Sequence, residues 1–402
     1  MTTARSASGN SNGSLSAAKT AANNEYYTLW QDIEREMIAY RDYDPDVFRD
    51  KVVLLPCDDP EWSNFAKFFA LHFTDFGLKK LISTSYAPDS NPGLVAYQPT
   101  PLESDDPKFD EVKTRTKGKK FVLTSDDANG DGVVNIDDLQ WEYLQGDGDF
   151  RSPEVTALRD EADIIITNPP FSLGRTFIKW VLEADKQFSI IGPNSFPTTK
   201  EIFPLFKDNK MWLGNGFASG NAYFRVPREN RGGWAGGVYD AETSMVKFRN
   251  VTWFTNIEHG RRHEPMELMS KAENLKFNAL LTKRGGYREY DNFDAIDVPL
   301  SNAIPGDYDG VMGVPVSYLD HHCPEQFDIV GITKTWFGAA SKKYPAQTQI
   351  NPNGTRSTVG KLNDGGAIRV DAPPEGKVCY ELDGQHYIQT YPRILIKPKV
   401  AS

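Results

Sequence analysis

The sequence predicts an α/β protein with a doubly wound, mixed and mostly parallel sheet, followed by an irregular α+β C-terminal region. Three observations carry that reading. Continuous apolar runs such as Val52-Val53-Leu54-Leu55, Ile164-Ile165-Ile166 and Phe188-Ser189-Ile190-Ile191 suit strands buried on both faces. The first two runs end in proline-containing turns and give way to segments of helical periodicity, the alternation expected of a doubly wound sheet. Beyond Glu258 the alternation fades into glycines, prolines and short apolar runs, as in Gly310-Val311-Met312-Gly313-Val314-Pro315.

The 402 residues leave room for one large or two ordinary domains, and 39% hydrophobic with 25% charged residues is a globular composition. No apolar run approaches the roughly 18 residues of a membrane span. The polar start lacks a secretory pattern. Cys57, Cys323 and Cys379 are scattered, with neither disulfide nor zinc spacing, so a reducing cytoplasm is expected. A net charge of −10 argues against a general nucleic-acid coat, although the field that matters is local.

Met1 to Asn23 is Ser, Ala, Gly, Asn and Thr with almost no apolar anchor, the composition of a disordered tail. Tyr26, Trp30, Ile33, Met37 and Tyr40 then fall at spacings of four and three, one face of a helix, and core packing accounts for its tyrosines. Val52–Leu55 reads as the first strand, ending in Pro56-Cys57-Asp58-Asp59-Pro60. Ser63 is placed to cap the next helix, which carries Phe65, Phe68, Phe69 and Phe76. A first strand that ends in a polar turn and a helix start is a common cofactor site, and Asp58 or Asp59 suits a cationic group there; a solvated turn reads the same way.

Leu81 to Tyr86 reads as the second strand and its edge. Residues 88–118, rich in Pro, Asp and Lys, begin an insertion that extends to about residue 145. Within it, Asp127 to Asp138 has the oxygen spacing of a calcium loop, with Gly132 at the sixth position and Asp138 at the twelfth. A plain acidic turn fits equally, and no metal is assigned. Gly146-Asp147-Gly148-Asp149-Phe150 suits adenine recognition, by a carboxylate for the exocyclic amine and a ring for stacking; its plain reading is a β-turn.

The stretch that organises the chain is Asp163 to Phe171, an apolar strand that runs out into Asn168-Pro169-Pro170-Phe171. Neither proline can extend the ladder, so Asn168 falls at the strand's end, where ligands bind in open α/β sheets. The Asn side-chain carbonyl and the next backbone carbonyl can accept both hydrogens of an exocyclic amine, favouring the geometry it reaches on attack. Phe171 can stack on a base that has left its duplex. A strand followed by a proline turn is the plain alternative. Further on, Phe217, Tyr223, Phe224, Arg225, Arg228, Arg231 and Trp234 interleave basic and aromatic residues over residues 214–238, as phosphate contacts and base stacking require, or as a solvated loop would.

Together these stretches resemble the EcoRI-type adenine-specific DNA methyltransferase family. The matching segments are Asn24 to Thr28, Pro56 to Pro60, Gly146 to Ser152, Thr167 to Ser172, Trp253 to Asn256, Tyr290 to Ile296, Gly310 to Pro315 and Pro324 to Phe327. The resemblance implies a Rossmann-like core over residues 24–258 that uses S-adenosylmethionine, and a DNA-recognition region over residues 259–402. It implies methyl transfer to the amino group of an adenine flipped out of double-stranded DNA, in a prokaryotic or phage-encoded monomer that shares its site with a restriction endonuclease or acts alone. Asn168, Pro169, Pro170 and Phe171 would form the catalytic loop. Tyr26, Tyr27, Thr28, Asp58 and Asp59 would line the cofactor, and Asp149 and Phe150 would hold its adenine. Phe254 would be a second aromatic against the flipped base, with Arg225, Arg228 and Arg231 on DNA. No Gly-rich loop follows the first strand, and the cofactor's ribose has only Tyr86 as a candidate.

An RNA base or a protein glutamine would serve as acceptor for the same motif. A binding protein with a decayed methyltransferase core and a calcium-dependent interaction module are the readings from other classes.

Overall fold

The computed structural model describes residues 27–60, 63–90, 106–217, 222–225 and 238–399, with the side chains of Tyr27 and Phe171 left aside. Tyr26, Arg228, Arg231, Trp234 and the 1–23 tail therefore lie outside the described residues. The chain divides into two compact units, one of residues up to 194 plus 213–259, the other of residues 195–212 plus 260 onward.

The first unit is built on an eight-stranded sheet. Its strands are β2 (Val52–Leu55), β3 (Lys80–Ser85), β4 (Lys119–Leu123), β5 (Gln140–Tyr143), β6 (Ile164–Thr167), β7 (Gln187–Pro193), β8 (Trp212–Leu213) and β12 (Val251–Thr255), in the order β5-β4-β3-β2-β6-β7-β12-β8. The central strands β3, β2, β6 and β7 run parallel. Outside them β4, β5 and β12 pair antiparallel, so the expected mostly parallel sheet is parallel only at its centre. The reason is local: β4 and β5 come from the expected insertion and meet as a hairpin-like pair, which needs no crossover.

A smaller sheet adds β1 (Tyr27–Thr28), β9 (Ala222–Arg225), β10 (Tyr239–Asp240) and β11 (Met245–Phe248). Among the described residues six helices accompany these sheets: α1 (Trp30–Tyr43), α2 (Asn64–Leu71), α3 (Phe73–Phe76), α4 (Glu111–Thr116), α5 (Pro153–Glu161) and α6 (Gly174–Leu182). The described part of the Pro/Asp/Lys-rich stretch is thus partly helical, because Asp110 caps α4 by accepting from the Lys113 amide.

The apolar periodicity of α1 is used as its spacing predicts. Ile33, Met37 and Tyr40 have no exposed surface. The Tyr40 hydroxyl donates to Glu36 at 2.6 Å and lies 2.8 Å from Ser189 Oγ on β7. Phe65, Phe68 and Phe69 of α2 pack into the same core, with Phe48 stacked on Phe76 at 5.2 Å. In the expected calcium loop the carboxylates fold back on the chain. Asp127 accepts from the amides of Gly130 and Gly132, and Asp138 from those of Ala128, Asn129 and Asn135. Among the described residues, no group of three His, Cys, Asp or Glu side chains is placed to hold a metal.

The second unit, expected as an irregular α+β region, is rich in strands with a few short helices among the described residues. One five-stranded sheet joins β13 (Arg288–Glu289), β14 (Ile296–Asp297), β15 (Met312–Pro315), β16 (Phe327–Ile332) and β22 (Arg393–Pro398). Another joins β17 (Gln347–Ile350), β18 (Arg356–Val359), β19 (Ala367–Val370), β20 (Cys379–Leu382) and β21 (Gln385–Gln389). Its helices are short: α7 (Phe203–Lys207), α8 (Lys271–Phe277) and α9 (Ala279–Arg284). The segment Tyr290–Asp297 holds this unit together through polar side chains. Asp297, 1% exposed, accepts from Tyr290 at 2.7 Å, Arg284 at 2.6 Å and Arg393 at 3.1 Å. Asn292 accepts from the Ala367 amide and donates to the Gly365 carbonyl.

Candidate active site

The order of the central strands fixes where a ligand can enter. From β2 the chain steps to β3 on one side and later returns to β6 on the other. Strand order reverses there, so the loops after β2 and β6 part and leave a crevice at their C-terminal ends. The loop after β2 carries Asp58 and Asp59. The loop after β6 carries Asn168 and the two prolines.

Asp58 is 5% exposed and stands between these loops. One carboxylate oxygen accepts from Ser63 Oγ at 2.6 Å, the other from Thr167 Oγ1 at 2.6 Å. Its amide donates to the Thr84 carbonyl at 3.0 Å, and its carbonyl accepts from the Ser83 hydroxyl. Burial pushes the carboxyl up to about 6 against the pull of the two hydroxyls, with a further push from the charge of Asp59. Ser63 also caps α2, as its position predicts, accepting from the Phe65 amide at 3.1 Å. Both oxygens of Asp58 are therefore engaged inside the protein, and its neighbour Asp59, the other candidate of this turn, is half-buried.

Thr28 closes the near side of this region. Its carbonyl accepts from Asn64 Nδ2, the first residue of α2, at 2.7 Å. Its own hydroxyl is buried and has no hydrogen-bond partner among the described residues. A buried hydroxyl without a partner fits a polar ligand, because leaving it unmade costs about 1–3 kcal/mol.

The loop at residues 146–151 borders the crevice from the β3 side. The Gly118 amide donates to the Gly146 carbonyl at 3.0 Å and the Ala87 amide to the Asp147 carbonyl at 2.7 Å. Gly148 adopts φ +88°, and a Cβ there would overlap the Ser85 carbonyl. A Cβ on Gly118 would lie 2.6 Å from that same oxygen. The glycines are thus needed for backbone to meet backbone. The loop holds Asp149 partly exposed, with Arg151 forked onto its two oxygens, and this hydrogen-bonded pairing keeps the carboxyl below its usual range. Tyr86 stands beside it, its hydroxyl pushed up first by burial and then by the charges of Asp147 and Asp149.

Two expected stacking rings are placed otherwise. Phe150 is 4% exposed and sits edge-on to Phe177 at 5.0 Å and Trp180 at 5.5 Å on α6. Its ring serves the core, leaving Asp149 as the exposed member of the pair. Phe254 has no exposed surface and lies within β12, paired with Ile190 of β7, so a flipped base cannot reach it without parting the sheet's packed layer. Alternation on a buried strand gives no sign of this in the sequence, since both faces are covered. Asn168 is half-buried, Pro169 buried and Pro170 exposed. Arg225 is exposed on β9. Thr167 and Asp147 are the residues that sequence reasoning passed over; a hydroxyl next to Asn168 and an acid between two glycines were the available signals.

A parallel-centred sheet with an acidic turn after β2 and an Asn-Pro-Pro turn after β6 puts the chain in the class of α/β proteins whose ligands bind at the strand ends. Within that class the chain belongs to the family described as adenine-specific methyltransferase EcoRI, whose sequence profile matches residues 14–399. It is 36% identical over 321 residues to the type II methyltransferase M.EcoRI of Escherichia coli, covering 80% of this chain and 89% of the relative. Identity to the type II methyltransferase M.MpnI of Mycoplasma pneumoniae is 30% over 322 residues, 78% of this chain and 83% of that one. Identity to M.MgeORF184P of Mycoplasma genitalium is 30% over 356 residues, 86% and 94% of the two chains. No solved structure matches the chain.

Proposed function

We propose that the chain is a site-specific DNA methyltransferase that moves the methyl group of S-adenosylmethionine to the N6 amino group of an adenine flipped out of double-stranded DNA. The observation that carries this reading is the meeting of two loops: Asn168 follows directly on Thr167, whose hydroxyl is bonded to Asp58 in the acidic turn after β2. An amine held by Asn168 then lies beside a pocket suited to a cationic donor.

Thr28, Asp59 and Asp149 hold the cofactor, and Tyr26 and Tyr27 belong to the same proposed set. When bound, it supplies a methyl group made electrophilic by a sulfonium. The Asn168 side-chain oxygen and the Pro169 carbonyl accept the two N–H bonds of the target amine and orient its lone pair. Pro169 offers no competing donor and a fixed φ. The flipped base stacks on Phe171, and the proton leaves after transfer, so no strong base is required. The core is Rossmann-like in this reading, and the second unit reads the DNA sequence, aided by Arg225, Arg228 and Arg231. The enzyme works as a monomer in a prokaryotic cytoplasm, with or without an endonuclease that shares its site.

Methyl-labelled S-adenosylmethionine and unmethylated bacterial DNA test this. Labelled N6-methyladenine is expected among the product nucleosides. Label on RNA or protein, with none on DNA, would overturn the acceptor.

A further inference from the structure

We infer that Thr167 is a positioning residue for methyl transfer: its hydroxyl, given to the buried Asp58 carboxylate, sets the register of Asn168 against the cofactor turn. The inference rests on the reading that Asn168 holds the target amine. Thr167 ends β6 and has no exposed surface, so its hydroxyl must find a partner inside the protein. It finds Asp58, which also takes the Ser63 hydroxyl at the start of α2 and is fastened to β3 through Ser83 and Thr84. One residue thus ties these elements together: the Asp58 carboxylate holds the end of β6 and the cap of α2, and its backbone amide and carbonyl hold the end of β3. Asn168 is the next residue after the joint, and two prolines follow it.

A charged Asp58 accepts both hydroxyls at once. A protonated one must donate from one oxygen, and a hydroxyl must turn its hydrogen elsewhere. Asp59 is the charged neighbour acting on this carboxyl. Turnover should therefore fall on the acid side, near the pH at which Asp58 takes up its proton. Because this limb acts through the Thr167 hydroxyl, removing that hydroxyl uncouples turnover from Asp58 and the limb is lost.

The test compares Thr167→Val, which keeps the shape, with Thr167→Ser, which keeps the hydroxyl. Cofactor Kd is measured by calorimetry, and kcat on duplex DNA across pH 5 to 9. The expected result is a fall in kcat of about 10- to 100-fold for Thr167→Val, the scale of a misplaced reacting group. Its cofactor Kd stays within about twofold, its acid limb is lost, and Thr167→Ser restores kcat. Wild-type kcat in Thr167→Val would overturn the inference, as would Thr167→Ser being equally impaired, since the methyl group would then be what matters. If Thr167→Val does not fold, Asp58→Asn is read instead. It keeps an acceptor for one hydroxyl but removes the titration, so it must lose the acid limb; a wild-type pH profile would overturn the inference. Failure of the underlying reading looks different: Asn168→Ala would then turn over normally.

Discussion

Asn168 carries the heaviest claim at the scale of single residues. Replacing it with Ala removes the side-chain acceptor for the target amine and leaves the acidic turn untouched. A loss of about 10²–10³ in kcat is expected, the usual cost of one preorganised polar contact to a reacting group. Calorimetry should find the cofactor Kd unchanged; equal loss in both would make Asn168 a folding residue. Asp149→Ala should act in the opposite way, weakening cofactor binding by about tenfold while a saturated enzyme keeps most of its kcat. That is the worth of one hydrogen bond to a charged group. Unchanged affinity would remove Asp149 from the pocket. Asn168 was legible because prolines mark a strand's end whatever the fold. The directions of Phe150 and Phe254 were not legible, because an aromatic next to a motif has no visible direction until its neighbours are known. Here those neighbours are Phe177 and Trp180 for one ring and the sheet interior for the other.

Among the elements, the strand ends and the turns that follow them do the work. The loop at 146–151 reaches the crevice because Gly148 adopts a left-handed φ against the Ser85 carbonyl. Gly148→Ala should lower stability by about 1–3 kcal/mol, the cost of strained backbone, and weaken cofactor binding with it. Thermal unfolding with and without S-adenosylmethionine checks this, and an unshifted Tm would contradict it. Ser63→Ala should cost about 1 kcal/mol through the lost α2 cap. Strands β2, β6 and β7 and the cap were readable as runs and spacings. The joint between Asp58 and Thr167 was not, because its partners lie 109 residues apart and only strand order brings them together. The antiparallel flank was hidden in part for a related reason: β5 is short and half-exposed, and looks like loop in composition.

For the whole molecule, two units of different character share one chain. The α/β unit was predictable from its alternation. The second unit was not, since its order rests on polar groups rather than long apolar runs. Asp297 gathers Arg284, Arg393 and Tyr290 in a buried cluster. Asp297→Ala leaves two guanidinium groups without their carboxylate and should cost about 3–5 kcal/mol, read as a lower denaturant midpoint. A midpoint within error of wild type would show that the cluster is dispensable. A net charge of −10 and a DNA substrate are compatible because local charge decides, and one of the expected DNA-facing arginines, Arg225, is exposed at the end of β9.

The most direct measurement of the central claim is transfer of labelled methyl from S-adenosylmethionine to unmethylated duplex DNA by the wild type and Asn168→Ala in parallel, with the product nucleosides separated. The account predicts label in N6-methyladenine for the wild type and almost none for the variant, with both proteins binding cofactor equally. Label on another base, or a variant that methylates at the wild-type rate, would contradict it.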